Sequence, residues 1–535
     1  MGQLTSTSRV TTDEPNQESI RTLYDELRKG KLQVPNPPGN NILFIPASVF
    51  DEKITAERVL AIAGPSSKLC DSYRAELIVK RAKRTIAILV LSGCEKIVYD
   101  LLIRDGMVDS DLPLSPSSPD GTILRSAGPQ KQRIFTSFEK LSPREVDGFC
   151  RDQWLALAPK FGDIKDHKEL DSNYPLPFCD KEIMASTMFS TVFRATLHPA
   201  HHAETAEKDG IQVAVKELKD ENQFKQERSN LTITASLNNS HIIKHIATYE
   251  VKNTNGTTTY SIIFPLASGG NLQTFWDTEE PRTPELRQWS LEQILGLATA
   301  IRDLHMGFQG EKHCRHGDLK PLNLLHFKDP SSKGLGRLVL GDLGISKIHE
   351  QVTADRKCAT QTRATTPHYE PPEARGIRND NDSSSNDNDK DKNGSAAAGQ
   401  DQGKPWSRKY DMWSLGCIFL EFAVWLFSDV GTLDKFRKRR GSGTFYKVLP
   451  AEADGGEEQV VVCPVAQGVL EQLRAGFRGD KDDAAAAPGP WERFVDLIEG
   501  ELLIPEAERR CGADRLVAEL ERIVEDARRD PMGEF

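Results

Sequence analysis

The stretch "RHGDLKPLNLLHF", residues 315–327, decides how the rest of the chain is read. It packs Asp318, Lys320 and Asn323 close together and then turns apolar, as a polar turn leading into a buried strand would. The same groups also suit phosphoryl transfer, which asks the protein for little covalent work. It asks for a cation on the nucleotide phosphates, oxygen ligands for magnesium, and a carboxylate that orients the attacking hydroxyl.

The remaining requirements have candidates in sequence order on either side. "VAVK" (213–216) closes an apolar strand, so the ammonium of Lys216 can project towards phosphates. Glu227 lies in the next helical stretch, "NQFKQERSNLTITASL", and can pair with Lys216; Glu221 is a rival, because helix boundaries read from sequence slip by a few residues. Downstream, "DLG" (342–344) offers the carboxylate of Asp342, which with the amide oxygen of Asn323 can hold a metal. Asp318 can accept the hydroxyl proton, and Lys320 can neutralise the moving phosphate. Each residue alone reads as a surface or capping polar group; the ordered set points to a shared site.

At this point the chain resembles the eukaryotic protein kinase superfamily over about residues 178–525. "HGDLKPLN" resembles the catalytic loop, "DLG" the magnesium-binding motif, and "YEPPE" (369–373) the end of the activation segment. "DMWSLGCIFLE" (411–421) is similar to the helix that anchors the catalytic loop through its aspartate, here Asp411. Arg510 resembles the arginine that pairs with the glutamate of the APE-like motif, here Glu373. The resemblance implies an α+β, bilobal protein-kinase-like fold, with a small antiparallel sheet lobe, a larger helical lobe, and ATP and Mg2+ as cofactors. It places Val192 and Ala214 against the nucleotide, Phe264 as gatekeeper, and Pro265 and Ala267 in the hinge that holds adenine, with Ala267 giving the N–H donor. Proline fits the position that offers only a carbonyl. Lys320 and "TPHYEPPE", from Thr366, are similar to the serine/threonine type, whose substrate is a protein hydroxyl.

The chain departs from that pattern in two places. "ASTMFSTVF" puts Ala185, Thr187 and Ser190 where the family has its three phosphate-loop glycines, and side chains there restrict the approach of backbone to phosphate. Gly317 stands where the family has an arginine that receives an activation-loop phosphate, which implies weak dependence on such phosphorylation, although Thr362 and Thr365 remain candidate modification sites. His316 reads as a packed residue, and Leu343 replaces a phenylalanine. Two readings follow: a Mg-ATP-dependent serine/threonine protein kinase, or a pseudokinase acting as a binding or scaffold module with weak or no catalysis.

Composition bounds the partners. The net charge of −10 and a 28% share of charged residues argue against nucleic acid as the main partner, which needs a concentrated basic surface. The run "KFRKRR" (435–440) reads as a solvated face. No stretch of consecutive apolar residues reaches membrane-spanning length, the start lacks a secretory signal, and nine scattered cysteines read as reduced thiols, so the expected location is cytoplasmic. "MGQLTS" fits the N-myristoylation pattern through Gly2 and Ser6; with no second anchoring signal, even a modified chain would hold a membrane weakly and reversibly.

Residues 1–165 show helical periodicity and read as a helical accessory region of unknown function. Ile20, Leu23, Tyr24 and Leu27 share one helix face ending at Gly30, a longer helix is expected over 73–91, and 108–132 reads as a linker or long loop. Within the kinase-like part, 379–405 is nearly free of large apolar residues and reads as a disordered insert.

Overall fold

The computed structural model describes residues 16–36, 40–63, 72–127, 132–162, 164, 167–203, 209–278, 283–307, 312–329, 335–343, 347–350, 367–375, 408–441, 443–450, 458–478 and 488–529. The expected insert at 379–405, Gly2, Ser6, Gly344, Thr362, Thr365 and Thr366 lie outside these residues. The chain forms two compact units, Met1–Glu221 with His245–Pro265, and Asn222–Lys244 with Leu266–Phe535.

The first unit opens with α1 (Gln17–Lys29), capped by the Asn16 side chain, which accepts the N–H groups of Glu18 and Ser19 at 3.1 Å. Its buried face is Ile20, Leu23 and Leu27, and it stops before Gly30, as the spacing predicts. After the hairpin β1 (Leu32–Asn36) and β2 (Asn40–Phe44) come α2 (Ala47–Lys53), α3 (Ala56–Ala63) and α4 (Ser72–Leu91). The last is kinked at Ala82, and the N–H groups of Arg84 and Thr85 freed beyond the kink donate to the Asp109 carboxylate at 3.0 and 2.9 Å.

The described part of 108–132, expected as a linker or long loop, carries two short strands as well as loop. These, β3 (Leu114–Pro116) and β4 (Leu124–Ser126), form a small sheet with β5 (Ile134–Phe135), seated on Leu114, Leu124 and Phe135, all buried. Strands this short carry too few alternations to read from sequence. The region closes with α5 (Pro143–Asp152), held by a reciprocal cap between Ser142 and Glu145.

A six-stranded sheet completes this unit. Its strands are β6 (His167–Asp171), β7 (Phe178–Ser186), β8 (Ser190–Leu197), β9 (Ile211–Leu218), β10 (Ala247–Lys252) and β11 (Thr258–Pro265), in the order β6-β10-β11-β9-β8-β7. All neighbours are antiparallel except β6, which pairs parallel to β10 and brings the sheet's edge ahead of residue 178. One face packs Val213, Val215, Tyr249 and Ile263 against Phe161, so the accessory region and the sheet share a core.

His201 joins the two parts. Its Nδ1 donates to the Pro159 carbonyl (3.0 Å) and its Nε2 accepts the Ala47 N–H (3.2 Å), with Phe44 edge-on at 5.4 Å. Burial pushes the imidazole down to about 4. The unfolded chain takes up the proton near pH 6.5 and the native state does not. Stability is therefore untouched by this group above 6.5 and falls as pH drops from 6.5 towards 4, by at most about 3 kcal/mol. In urea melts at pH 6.5 and pH 5, wild type should lose roughly 2 kcal/mol more than His201→Gln. Equal losses would show that His201 does not set the slope.

The second unit begins with α6 (Glu221–Ala235), then α7 (Leu272–Thr278) and α8 (Pro284–Met306). The hairpin β13 (Leu324–Phe327) and β14 (Arg337–Leu340) and the pair β12 (Lys312–Arg315) and β15 (Lys347–Glu350) follow. The core is α9 (Lys409–Phe427), whose residues from Tyr410 to Leu426 are all buried. Among the described residues this one helix is long and apolar enough to cross a membrane, yet 94% of its most apolar window lies inside the fold. Around it stand α10 (Val430–Arg440), the hairpin β16 (Tyr446–Leu449) and β17 (Gln459–Val462), α11 (Pro464–Arg478), α12 (Pro490–Leu497) and α13 (Ala513–Arg529), which packs along α8. The seven described cysteines are all free thiols.

Candidate active site

In the first unit the sheet register lines up the nucleotide-side candidates. Lys216 pairs across with Val192 on β8 and Ile262 on β11, and Ala214 pairs with Phe264, so Val192, Ala214, Lys216 and Phe264 share the face opposite Val213 and Val215. Pro265 is in register with Val213 and so falls one residue out of phase with that set. Ala267, past the strand end, belongs to the second unit, where its carbonyl accepts the Gly270 N–H at 3.0 Å.

The β7–β8 turn, where glycines were missing, closes on itself. Thr187 N–H donates to the Ser190 carbonyl at 2.8 Å, and the Thr187 hydroxyl accepts the N–H groups of Ser190 (3.1 Å) and Phe189 (3.3 Å). Ser186 and Thr191 exchange a further hydroxyl contact at 3.2 Å. Among the described residues the non-glycines at positive φ are Asp180 and Asp342, so this turn makes no conformational demand for glycine. Its tip exposes Met188 and Phe189, and the end of β7 exposes Met184.

In the second unit the residues around 318 converge. The Asp318 carboxylate, 8% exposed, accepts Lys320 Nζ at 2.8 Å and Asn323 Nδ2 at 3.0 Å; Asn323 Nδ2 also reaches the Asp318 carbonyl at 2.8 Å. With its Nδ2 so committed, Asn323 keeps its amide oxygen for another partner. The β13–β14 ladder continues through Gly341 N–H to the Asn323 carbonyl (2.8 Å), which ties Asp342 to the loop. Asp342 is exposed and sits at φ 54°, a conformation a non-glycine residue adopts only where its surroundings enforce it. Leu343 beside it is buried, and its carbonyl accepts Asn230 Nδ2 from α6 at 2.8 Å. On α6, Glu227 is buried at 1% and Glu221 is exposed in the first turn.

Behind the loop lies support that sequence reasoning saw only in part. Asp411, fully buried on α9, accepts the N–H groups of His316 and Gly317, both at 2.9 Å, and His305 Nε2 at 2.8 Å. His305 carried no signal, being one more polar residue at the end of a long helix. His316 Nε2 donates to the Gly341 carbonyl at 2.9 Å while Nδ1 accepts the Asp318 N–H at 3.4 Å, which makes His316 a packed strut.

Gly317 sits at φ +80°, and a Cβ there would come within 3.2 Å of Arg315 Nε. The buried Arg315 side chain, 4.9 Å from the Tyr410 ring centre, fills the space beside residue 317. Arg510 holds Glu373 bidentately at 2.7 and 2.8 Å and also the Lys409 and Pro505 carbonyls. Tyr369 donates to Glu421 at 2.9 Å, and Arg437 and Arg440 pair with that same glutamate, a network no spacing announced.

Asn323 and Asp342 offer hard oxygens, and magnesium is held by one or two such groups together with substrate phosphates and water.

A sheet-rich unit, a helical unit and a loop carrying Asp318 and Asn323 are consistent with a kinase-like fold. A family model described as "Protein kinase domain" matches residues 200–391, which includes β9, α6 and the catalytic-type loop and leaves out the β7–β8 turn. The chain is also similar to the serine/threonine-protein kinase Nek4 of Mus musculus, with 27% identity over 218 residues, 41% of this chain and 22% of the mouse protein. The chain thus spans about a fifth of that relative's length. These likenesses support the eukaryotic protein kinase superfamily for the matched stretch, residues 200–391.

Proposed function

We propose that the chain is a Mg-ATP-dependent serine/threonine protein kinase that transfers the γ-phosphoryl group to a protein hydroxyl. The observation that carries this reading is the Asp318 carboxylate, oriented by Lys320 at 2.8 Å and Asn323 at 3.0 Å, with the exposed Asp342 following the Gly341 N–H that donates to the Asn323 carbonyl. Asp318 accepts the hydroxyl proton and aims the oxygen, and Lys320 offsets charge on the moving phosphate. Asn323 and Asp342 are the metal ligands, Lys216 steadies the nucleotide phosphates with Glu227 as its partner, and Val192, Ala214, Phe264, Pro265 and Ala267 hold adenine. Bound magnesium would neutralise developing charge on the phosphates. The reading keeps the protein in the cytoplasm, with weak membrane contact only if Gly2 is acylated.

A second reading, a pseudokinase scaffold, is favoured by one feature. The Thr187 hydroxyl already holds two tip N–H groups that a phosphate would otherwise receive. The test is a thermal-shift titration of the full chain with ATP, with and without Mg2+, beside Lys216→Ala and Asp342→Ala. A magnesium-dependent rise lost in both variants supports the enzyme; no shift at millimolar nucleotide supports the scaffold.

The turn makes its own prediction. Thr187→Ala should release the Phe189 and Ser190 N–H groups and tighten ATP binding about three- to tenfold in calorimetric titration, since one hydrogen bond is worth roughly 1 kcal/mol. Unchanged or weaker binding would show that the Thr187 cap does not limit affinity.

A further inference from the structure

The helix α11 carries two apolar stripes, and the fold uses one. Ala466 and Leu470 are fully buried. Val465, Val469, Leu473 and Phe477, at every fourth position, are only partly covered and form one wall of a groove of about 770 Å³. Gly468 and Gly476 lie on the same wall, and a Cβ at either would meet nothing within 4 Å, so they leave hollows between the apolar ridges. The row runs roughly 18 Å along the helix, at about 1.5 Å per residue.

The facing wall is basic. Lys435 and Arg439, one turn apart on α10, are exposed and line the groove, and Arg287 of α8 stands at its side over the Phe427 ring, 5.1 Å from the centroid. None of the described lining residues is acidic. In a chain with net charge −10, this is a local reversal of sign along a hydrophobic furrow.

We propose that this groove docks an amphipathic helix of a partner protein, its apolar face on α11 and an acidic flank against Lys435 and Arg439. Ridges spaced by four residues with glycine hollows between them are what a helix packs into. Lys435 and Arg439 are one helical turn apart on α10 and Arg287 comes from α8, a spread that suits successive carboxylates on a helix flank. The site lies wholly within the second unit and does not depend on catalysis.

The full chain is titrated by fluorescence anisotropy with two labelled helical peptides that share leucine anchors and differ only in a glutamate or lysine flank. The glutamate peptide should bind about tenfold or more tighter than the lysine peptide, and the preference should weaken with salt. Lys435→Glu with Arg439→Glu should reverse the order, and Leu473→Asp should weaken both peptides by about tenfold or more. Both charge changes are on exposed side chains, so a melt like that of wild type is expected and is checked alongside. Equal binding of the two peptides, no binding of either below about 100 µM, or an order unmoved by charge reversal overturns the proposal. So does a dimer of the chain that Leu473→Asp dissolves, because the occupant would then be a second copy.

Discussion

Asp318→Asn should lower phosphate incorporation into a protein substrate by on the order of a thousandfold, the scale at which a positioned general base contributes. It should leave the magnesium-dependent thermal shift by ATP in place, because the exchange is nearly isosteric and Asp318 is not among the proposed ligands of metal or nucleotide. The residue is held at both ends: Lys320 Nζ and Asn323 Nδ2 reach the same carboxylate oxygen, and its N–H donates to His316. An asparagine there keeps the shape and loses the charge. Lys320 then faces a neutral amide, so local loosening is expected, but the backbone bonds to Asp411 lie on neighbouring residues and persist. Radiolabel incorporation and the nucleotide-induced melt are to be read on the same preparations. Incorporation that survives in the variant would move the base elsewhere or expose a contaminating kinase. Wild-type chain that binds nucleotide and transfers nothing to any substrate would favour the scaffold.

The sequence read best where chemistry and periodicity coincide. "VAVK" and "RHGDLKPLN" could be placed because strand alternation fixes a face and because few residue types serve phosphoryl transfer. Helix α1 was legible for a similar local reason, an apolar face that stops at Gly30, whereas its Asn16 cap emerged only in the structure. What stayed hidden was non-local. The strand β6 joins its sheet by parallel pairing with a strand far along the chain, and five residues of sequence carry no trace of that partner. His201 is one of three nearby histidines in the sequence, His198, His201 and His202, and its tie to Ala47 and Pro159 exists only once the accessory helices are folded. The missing glycines of the β7–β8 turn were visible, but the sequence could not show that Thr187 would turn its hydroxyl back onto the turn. Gly317 likewise read as a lost arginine, whereas its positive φ and the crowding by Arg315 give a backbone reason for glycine there.

Asp411→Ala should be the most damaging single change to the second unit. The carboxylate is fully buried and receives three donors, so its removal takes away the acceptor of two backbone N–H groups and of His305 Nε2 in the interior. A loss of about 3–5 kcal/mol is expected, seen as a fall of roughly 10 °C in the melting temperature. Phosphoryl transfer should vanish even in molecules that remain folded, since the bond to Gly317 helps keep its φ +80° backbone and thereby aims Asp318. Burial alone would push the Asp411 carboxyl up, but the His305 hydrogen bond and the nearby positive charge outweigh it and hold the group below its ordinary 3.8. A carboxyl depressed in the native state contributes stability above its unfolded value and loses it as pH falls through the native one. The gap between wild type and Asp411→Ala should therefore stay level from pH 7 to pH 5 and close only in stronger acid. His201 acts over the separate window between 6.5 and about 4, so the two buried groups are distinguishable in one set of melts. A gap that already narrows between pH 7 and pH 5 would mean that the Asp411 cluster is held by a different protonation state from the one its bonds indicate.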